Sequence, residues 1–171
     1  PIFFRMSDRS TQKKLQPTFN SYSDALVAAG SYEEHDLIKV IVAKTKKYVE
    51  KNYSNELINL DSLKDARTTR TLLVIAAGVT QKTLTILDFG GSAGIHYFTA
   101  RQIISDDISL KWCVVDTESM VKETKSEGLE NEELKFFSSI EEATNEVTYF
   151  DIIYSNYALC YTPNPLSYLE Q

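Results

Sequence analysis

Residues 83–94 are Thr83-Leu84-Thr85-Ile86-Leu87-Asp88-Phe89-Gly90-Gly91-Ser92-Ala93-Gly94, a short β-rich run that ends in a glycine-rich turn. The apolar and β-branched residues of the run predict a buried strand over residues 83–88. A helix is expected to begin after the turn and to end near Ile104. A strand that passes through a glycine turn into a helix is typical of the first unit of a parallel sheet.

Three further strands are expected along the chain, over residues 110–116, 134–137 and 150–155. Helices are predicted over residues 117–125 and near residues 140–143, and Pro163 or Pro165 can open a last helix. Strands that alternate with helices indicate a parallel sheet with right-handed crossovers. The apolar runs are nearly continuous, as in strands that are covered on both faces. The predicted fold class is therefore α/β, with a Rossmann-like parallel sheet.

The chain before this sheet has the periodicity of helices and no strand pattern. One helix is expected over residues 24–29, with Ser21 or Ser23 as its cap and Gly30 as its end. A second is expected up to Asn52, and a third over residues 61–78. These patterns predict an N-terminal tail at residues 1–20, a helical leader or cap at 21–80, and the sheet domain at 81–171.

Composition limits the classes of function. The chain has 171 residues, of which 43% are apolar and 25% are charged, as in ordinary soluble domains. No run approaches the roughly 20 apolar residues of a membrane span, and the N-terminus lacks the pattern of a signal peptide. A formal net charge of −6 argues against nucleic-acid binding. Cys113 and Cys160 are expected to be reduced core thiols, which favours the cytoplasm, and two separated histidines predict no metal site.

The glycine turn discriminates among three ligand classes. A phosphate-binding loop needs a lysine, which is absent, and neither frame of the turn fits the GxGxxG pattern of dinucleotide folds. The third pattern, acid-x-G-x-G-x-G, is matched by Asp88, Gly90 and Gly94, with Ser92 in place of the middle glycine. A carboxylate at this point would repel a pyrophosphate but suits a ligand with an ammonium group, such as S-adenosylmethionine. The alternative is an ordinary turn in which Asp88 caps the helix.

A second acid supports a nucleoside ligand. Asp116 ends the second predicted strand, where a carboxylate can accept hydrogen bonds from both ribose hydroxyls. The same geometry serves NAD, and Glu118 is close enough to be a rival. Asp116 can equally be the N-cap of the following helix.

The stretch from Leu87 to Phe98 resembles the glycine motif of class I S-adenosylmethionine-dependent methyltransferases. It is closest to a group of bacterial methyltransferases often encoded among surface-polysaccharide genes. That group shares Trp112-x-Val114-Val115-acid, Phe137-x-Ser139-Ile140, and Ser155 with Leu159-x-Tyr161; its helical leader resembles Tyr22-Ser23-Asp24-Ala25 and Thr69-Arg70. The likeness spans roughly residues 19–171.

The resemblance implies methyl transfer from S-adenosylmethionine to a small-molecule or glycan-related acceptor. It implies a cofactor site formed by Asp88, Phe89, Gly90, Gly91, Ser92, Gly94, Asp116, Ser138 and Ser155. His96 is the candidate catalytic base, although a histidine that only supports the helix is the alternative. Asn156, Tyr157 and Tyr161 are the substrate-side candidates, with aromatic packing as the alternative for the tyrosines.

A class I methyltransferase has about seven strands, and this sequence predicts four. The domain is therefore expected to be truncated after the fourth strand. Strands one and four would then carry an open apolar edge, which a second copy or a partner would cover. A non-catalytic methyltransferase-like module or partner subunit is the alternative to an enzyme, and an NAD-dependent oxidoreductase is disfavoured by the loop pattern.

Overall fold

The computed structural model describes residues 18–29, 34–53 and 82–168. The chain divides into two compact units, Pro1–Gly30 and Ser31–Gln171. In the first unit, helix α1 spans Tyr22–Ala29. The Ser21 hydroxyl accepts a hydrogen bond from the Asp24 amide at 3.1 Å, so Ser21 is the serine that caps this helix.

In its described residues, the second unit contains four strands and four α-helices. The helices are α2 (His35–Tyr53), α3 (Ile95–Arg101), α4 (Glu118–Ser126) and α5 (Ile140–Glu146). The strands are β1 (Thr83–Phe89), β2 (Ser109–Val115), β3 (Leu134–Phe137) and β4 (Ile152–Ser155). Two short 3-10 helices follow, Leu159–Tyr161 and Pro165–Tyr168. The helix expected over residues 61–78 lies outside the described residues, as does the predicted domain boundary at residue 80.

The four strands form one parallel sheet in the order β3-β2-β1-β4. This α/β arrangement is consistent with a Rossmann-like fold, as the sequence predicted. β1 is an inner strand, paired with β2 along its whole length and with β4 through residues 86–89. The expectation that strand one lies at an open edge is therefore wrong; β3 and β4 are the outer strands of the described sheet. Ile153 of β4 is 71% exposed, so this outer strand is not covered on both faces.

Each face of the sheet has its own apolar cluster. On one face, side chains of β1–β3 pack with α2, α3 and α4; the buried members include Ile38, Val42, Ile86, Phe98, Trp112 and Val121. On the other face, Leu87, Cys113 and Val115 pack with Ala143 and Val147 of the α5 region. The helix that leads from β3 to β4 thus lies opposite the earlier ones. Because α2 contributes Ile38 and Val42 to the first cluster, it is part of the same core as the sheet.

The ends of the elements are set by polar contacts. Thr117 caps α4 by accepting the Met120 amide, so the predicted capping role of Asp116 is taken by the next residue. α3 ends at Arg101, three residues before the expected Ile104. The Arg101 guanidinium donates to the carbonyls of residues 104, 105 and 108, which holds the chain in a turn where a helix would continue. Within the described residues, the chain forms a 3-10 helix over Pro165–Tyr168 where an α-helix was expected after Pro163 or Pro165.

The two cysteines differ in their surroundings. Cys113 lies buried in β2, as expected, and burial raises the pKa of its thiol to about 11. Cys160 is exposed, and its thiol donates to the Tyr157 carbonyl at 2.8 Å. The expectation that Cys160 is a core thiol is wrong, because the segment after β4 runs along the surface. Among the described residues, no helix is long and apolar enough to cross a bilayer.

A polar network fastens the amino ends of β2 and β3. The Glu133 carboxylate accepts from the Leu110 amide at 3.2 Å and from the Arg101 guanidinium at 3.3 Å. Its second oxygen accepts from the Tyr97 hydroxyl at 3.0 Å. Burial raises the pKa of Tyr97 to about 12, so the phenol is a hydrogen-bond donor at neutral pH. One side chain therefore joins α3, β2 and the start of β3.

We expect Glu133→Ala to lower the free energy of unfolding by about 2 kcal/mol, because hydrogen bonds to a charged group contribute about 1.5–3 kcal/mol. Urea unfolding measures the change. Glu132→Ala is the matched control, since Glu132 is exposed and adjacent. Equal losses in the two variants would contradict the network's role.

Candidate functional site

The sheet has a topological switch point between β1 and β4. β2 and β3 lie on one side of β1 and β4 on the other, with α3 and α4 on one face and α5 on the opposite face. In open sheets of this kind, ligands bind outside the carboxyl ends of the strands at such a point. The glycine turn after β1 and the segment after β4 therefore border the candidate site.

The turn after β1 has an alternating left-handed backbone. Gly90, Ser92 and Gly94 have φ values of 70°, 51° and 76°. Ser92, the residue that departs from the glycine pattern, thus has the backbone conformation that a glycine would favour. The turn is held by hydrogen bonds from the Gly90 amide to the Val115 carbonyl and from the Gly94 amide to the Gly91 carbonyl. In the part of the chain that the structure describes, the amides of Gly91 and Ala93 make no hydrogen bond within the turn.

Close packing requires glycine at two positions of the turn. A Cβ atom on Gly90 would lie 2.1 Å from the Ala158 Cβ, in the segment after β4. A Cβ atom on Gly91 would lie 2.5 Å from the Asp88 carboxylate. Packing within the protein therefore requires these two glycines, independently of any ligand. The turn contacts the segment after β4 on one side and the Asp88 carboxylate on the other.

Asp88 lies beneath the turn and is completely buried. Its Oδ2 atom accepts from the Trp112 indole Nε1 at 3.2 Å and is 3.1 Å from Nδ1 of His96. Its Oδ1 atom is buried and has no hydrogen-bond partner in the described part of the chain. The alternative role as a helix cap is not observed, since Gly94 is the N-cap residue of α3 and no side chain caps it. Asp88 instead has one acceptor oxygen in use and one unused.

His96 occupies the second position of α3 and lies over the ends of β1 and β4. Its ring packs edge-on against Tyr154 of β4, with centroids 5.1 Å apart and an interplanar angle of 83°. Burial lowers the pKa of His96, but the hydrogen bond and the charge of Asp88 raise it by more, so that the net pKa is above 6.5. The His96 side chain remains 20% exposed, whereas Asp88 is not exposed at all.

Asp116 holds the turn from the neighbouring strand. Its Oδ2 atom accepts from the Ser92 amide at 2.9 Å, and its Oδ1 atom accepts from the Thr117 amide at 2.8 Å. Burial raises the pKa of Asp116, the two backbone donors oppose this, and the charge of Asp88 adds to it. Each oxygen of a carboxylate can accept a second hydrogen bond, so Asp116 keeps capacity for a ligand. Glu118, the rival acid, is exposed in the first turn of α4.

The other predicted residues are distributed along the same edge. The Ser138 amide and hydroxyl donate to Glu142 at 2.8 and 2.9 Å. The Ser155 hydroxyl is buried and has no partner among the described residues. Ser155 pairs in register with Phe89, whose ring contacts Tyr168 at 5.0 Å. Ser155 therefore lies on the sheet face opposite Asp88, because Asp88 and Phe89 point to opposite faces.

The substrate-side candidates lie in the segment after β4. Asn156 is half-buried, and Tyr157 is 70% exposed with a left-handed φ of 62°. Tyr161 is exposed at the end of the 3-10 helix Leu159–Tyr161. The exposure of both tyrosines argues against simple core packing for them. They lie at the same sheet edge as the glycine turn, which Ala158 contacts directly.

Three residues of this site were not among the predicted ones: Trp112, Tyr154 and Ala158. Alternation places Asp88 on the same face as Ile86, the register partner of Trp112, but the pairing itself depends on strand order and register. Tyr154 is paired directly with Asp88 in the β1–β4 ladder. That contact depends on strand order, which alternation does not supply.

A separate groove of about 560 Å³ lies between α2 and α4. Lysines 39, 46 and 47 line it together with glutamates 50, 123 and 127, and Lys46 pairs with Glu127 at 2.5 Å. Its charges balance, and none of the predicted site residues lines it. Within the described ranges, no group of three or more His, Cys, Asp or Glu side chains could hold a metal ion.

Comparison of the chain with protein-family models, with curated proteins and with solved structures found no match.

We expect Gly90→Ala to destabilise the fold far more than Gly128→Ala, although both glycines have φ of 70°. Gly128 has no atom within 4 Å of an added Cβ, so its substitution costs only the left-handed strain, about 1–2 kcal/mol. Gly90→Ala adds overlap with Ala158, about 1–3 kcal/mol more. We expect the double variant Gly90→Ala/Ala158→Gly to regain the stability lost to this overlap, because the Ala158 Cβ atom is removed. Urea unfolding of the four proteins measures this, and an absence of recovery would contradict the packing of the turn on the β4 segment.

The His96–Asp88 pair makes stability depend on pH. Because the pKa of His96 in the folded protein is above its unfolded value, the contribution of the ion pair is complete below pH 6.5 and is lost as pH rises through the folded pKa. We therefore expect His96→Gln to reduce the free energy of unfolding more at pH about 6 than at pH about 9. Urea unfolding across this range measures the difference, and a pH-independent difference would count against the pair.

Proposed function

We propose that this chain binds S-adenosylmethionine at the switch point and belongs to a class I methyltransferase that acts on a small-molecule or glycan-related acceptor. The observation that carries the proposal is the glycine turn itself. Its left-handed residues alternate at positions 90, 92 and 94, and Asp116 at the end of β2 fixes the middle one. A turn held in this way keeps backbone donors and a carboxylate close together, which favours binding.

The polar groups around the turn fit the two ends of such a ligand. The amides of Gly91 and Ala93 are proposed as donors to the carboxylate of the methionine part, and Asp116 has acceptor capacity for the ribose hydroxyls. Gly91 and Ala93 are buried, so the contact with the ligand carboxylate requires the turn to open. The unused Oδ1 of Asp88 is an acceptor for the ammonium group. Because Asp88 is completely buried, that contact requires the turn at Gly91 to open.

When bound, S-adenosylmethionine supplies a methyl group on a sulfonium to a nucleophile of the acceptor. The chain's own contribution is to hold the acceptor in line, and proximity of this kind accounts for much of the rate in such reactions. Asn156, Tyr157 and Tyr161 are proposed to face the acceptor, and Ser138 and Ser155 to complete the cofactor side. The exposed free thiol of Cys160 suits a reducing compartment, which favours a cytoplasmic location.

One observation favours a second candidate, a non-catalytic module of the same fold that binds a partner. The Ala158 methyl group packs directly on the Gly90 turn, so the crevice between the two loops is narrowed where a ligand would enter. The outer face of β4, with Ile153 exposed, is the surface that a partner or second copy would cover. This candidate predicts no turnover and no requirement for Asp116 in binding a partner.

Calorimetric titration tests the leading proposal. We expect the purified chain to bind S-adenosylmethionine and S-adenosylhomocysteine in the micromolar range and NAD much more weakly. Asp116→Asn should weaken binding about tenfold or more, because a hydrogen bond to a charged group contributes about 1.5–3 kcal/mol and each 1.4 kcal/mol is tenfold. Asp107→Asn is the matched control, since Asp107 is an exposed acid in the loop before β2.

Three results would contradict the proposal. If the folded wild-type chain bound neither sulfur compound, the non-catalytic module would be favoured. If NAD bound more tightly than S-adenosylmethionine, an oxidoreductase would be favoured. If Asp116→Asn and Asp107→Asn bound the cofactor equally well while thermal melts showed both variants folded, Asp116 would not belong to the site.

A further inference from the structure

We propose that Asp88 and His96 form a carboxylate–imidazole dyad in which His96 removes the proton from a hydroxyl group of the acceptor and Asp88 positions the imidazole. This inference rests on the proposed function and adds the chemical class of the acceptor. It also gives Asp88 a role that the sequence pattern did not indicate, because the carboxylate orients the His96 imidazole of α3.

The position of the dyad is the first argument. Asp88 is the penultimate residue of β1 and pairs in register with Tyr154 of β4. The His96 ring is hydrogen-bonded to Asp88 and packs edge-on against Tyr154. The imidazole therefore spans the two strands between which the sheet reverses its order, at their carboxyl ends. This is where a base must lie to meet an acceptor bound in the crevice.

The asymmetry of burial is the second argument. Asp88 is completely buried, and its Oδ2 atom is fixed by the Trp112 indole, while His96 remains one-fifth exposed. A carboxylate accepts but does not donate, so Nδ1 of neutral His96 must carry the proton in this contact. The other ring nitrogen, Nε2, is then unprotonated and can accept a proton. The same division of roles, a buried carboxylate that fixes the tautomer of a more exposed histidine, operates in serine proteases.

The electrostatics agree with this geometry. Asp88 raises the basicity of His96 against the effect of burial, and a general base works best with a pKa near the working pH. Among the described residues, the titratable groups that contact the imidazole are Asp88 from β1 and Tyr154 from β4.

The chemistry of the acceptor follows from the presence of a base. A neutral amine or a carboxylate can attack a methyl group with its own lone pair, whereas an alcohol must lose its proton as it reacts. As the acceptor oxygen forms the new C–O bond to the methyl carbon, the C–S bond breaks and its electron pair stays on sulfur. The hydroxyl proton moves to Nε2 of His96 and from there to solvent. A base held ready for this proton indicates a hydroxyl acceptor.

The dyad is tested first in the free protein, by nitrogen-15 NMR of the imidazole in a His35→Gln background, which leaves His96 as the one histidine of the sequence. We expect the neutral ring to carry its proton on Nδ1. Asp88→Asn, which keeps an acceptor but removes the charge, should lower the pKa of His96. Asp151→Asn is the matched control, because the Asp151 carboxylate accepts the Thr85 backbone amide of β1 and does not contact His96. A proton on Nε2, or a pKa unchanged by Asp88→Asn, would overturn the dyad.

Access to Nε2 is tested with diethyl pyrocarbonate, which acylates the unprotonated nitrogen of exposed imidazoles. In the same background, His96 of the folded protein should react, and the pH profile of the rate should shift to lower pH in Asp88→Asn. Protection of His96 in the folded chain would overturn its role as a base. Calorimetry distinguishes a base from a residue that binds the cofactor. We expect His96→Gln to bind S-adenosylmethionine within about threefold of wild type, whereas the loss of a cofactor contact worth about 1.4 kcal/mol would weaken binding about tenfold.

The acceptor class is tested by labelled methyl transfer from S-adenosylmethionine to glucose and galactose, beside glucosamine as the amino counterpart. We expect transfer to oxygen that falls at least about a hundredfold in His96→Gln, within the range of general-base effects. Transfer to nitrogen that survives this substitution, or no transfer to any of the three sugars by a chain that binds the cofactor, would overturn the hydroxyl assignment. If the wild-type chain binds no cofactor, the proposed function itself fails, while the NMR and acylation results still decide the dyad.

Discussion

A buried carboxylate must be provided with hydrogen-bond donors, and the arrangement around Asp88 follows from that requirement. Leaving such a group unpaired costs several kcal/mol, roughly the scale of a whole domain's stability. Trp112 and His96 supply donors from β2 and α3, and residue 91 has no side chain because a Cβ atom would meet the carboxylate. Because Trp112 belongs to β2, the position of the Asp88 carboxylate depends on the pairing of β1 with β2. The course of the glycine turn, which passes over that carboxylate, therefore depends on the same pairing.

Much of the sheet could be predicted because its strands are short apolar runs between polar segments. β3 has its predicted bounds, and β1 and β2 lie within one residue of theirs. β4 begins two residues late, since Asp151 uses its side chain to accept the Thr85 amide before the ladder of residues 152–155 begins. Strand order was the larger difference. It depends on which side of β1 the crossover after α5 returns, and local periodicity carries no record of that choice.

The candidate site was predictable in its location but not in its contacts. The glycine pattern indicated the end of β1, and Ser92, its one departure, has the left-handed backbone that a glycine would favour. The direction of Asp88 could have been inferred, because Leu84 and Ile86 place their side chains on the core side and period two puts residue 88 with them. The contact of Ala158 with Gly90 joins segments 68 residues apart, and no short-range pattern contains it.

The Glu133 network has a consequence for how this fold can diverge. It fastens α3, β2 and β3 at the amino edge of the sheet, whereas the glycine turn, Asp116 and the segment after β4 lie at the carboxyl edge. The Glu133 network and the candidate site thereby lie at opposite ends of the same strands. Substitutions of the exposed Tyr157 and Tyr161 leave the Glu133 contacts intact, whereas a larger side chain at Ala158 would press on the Gly90 turn. Divergence of the segment after β4 is therefore constrained at Ala158 and open at the two tyrosines.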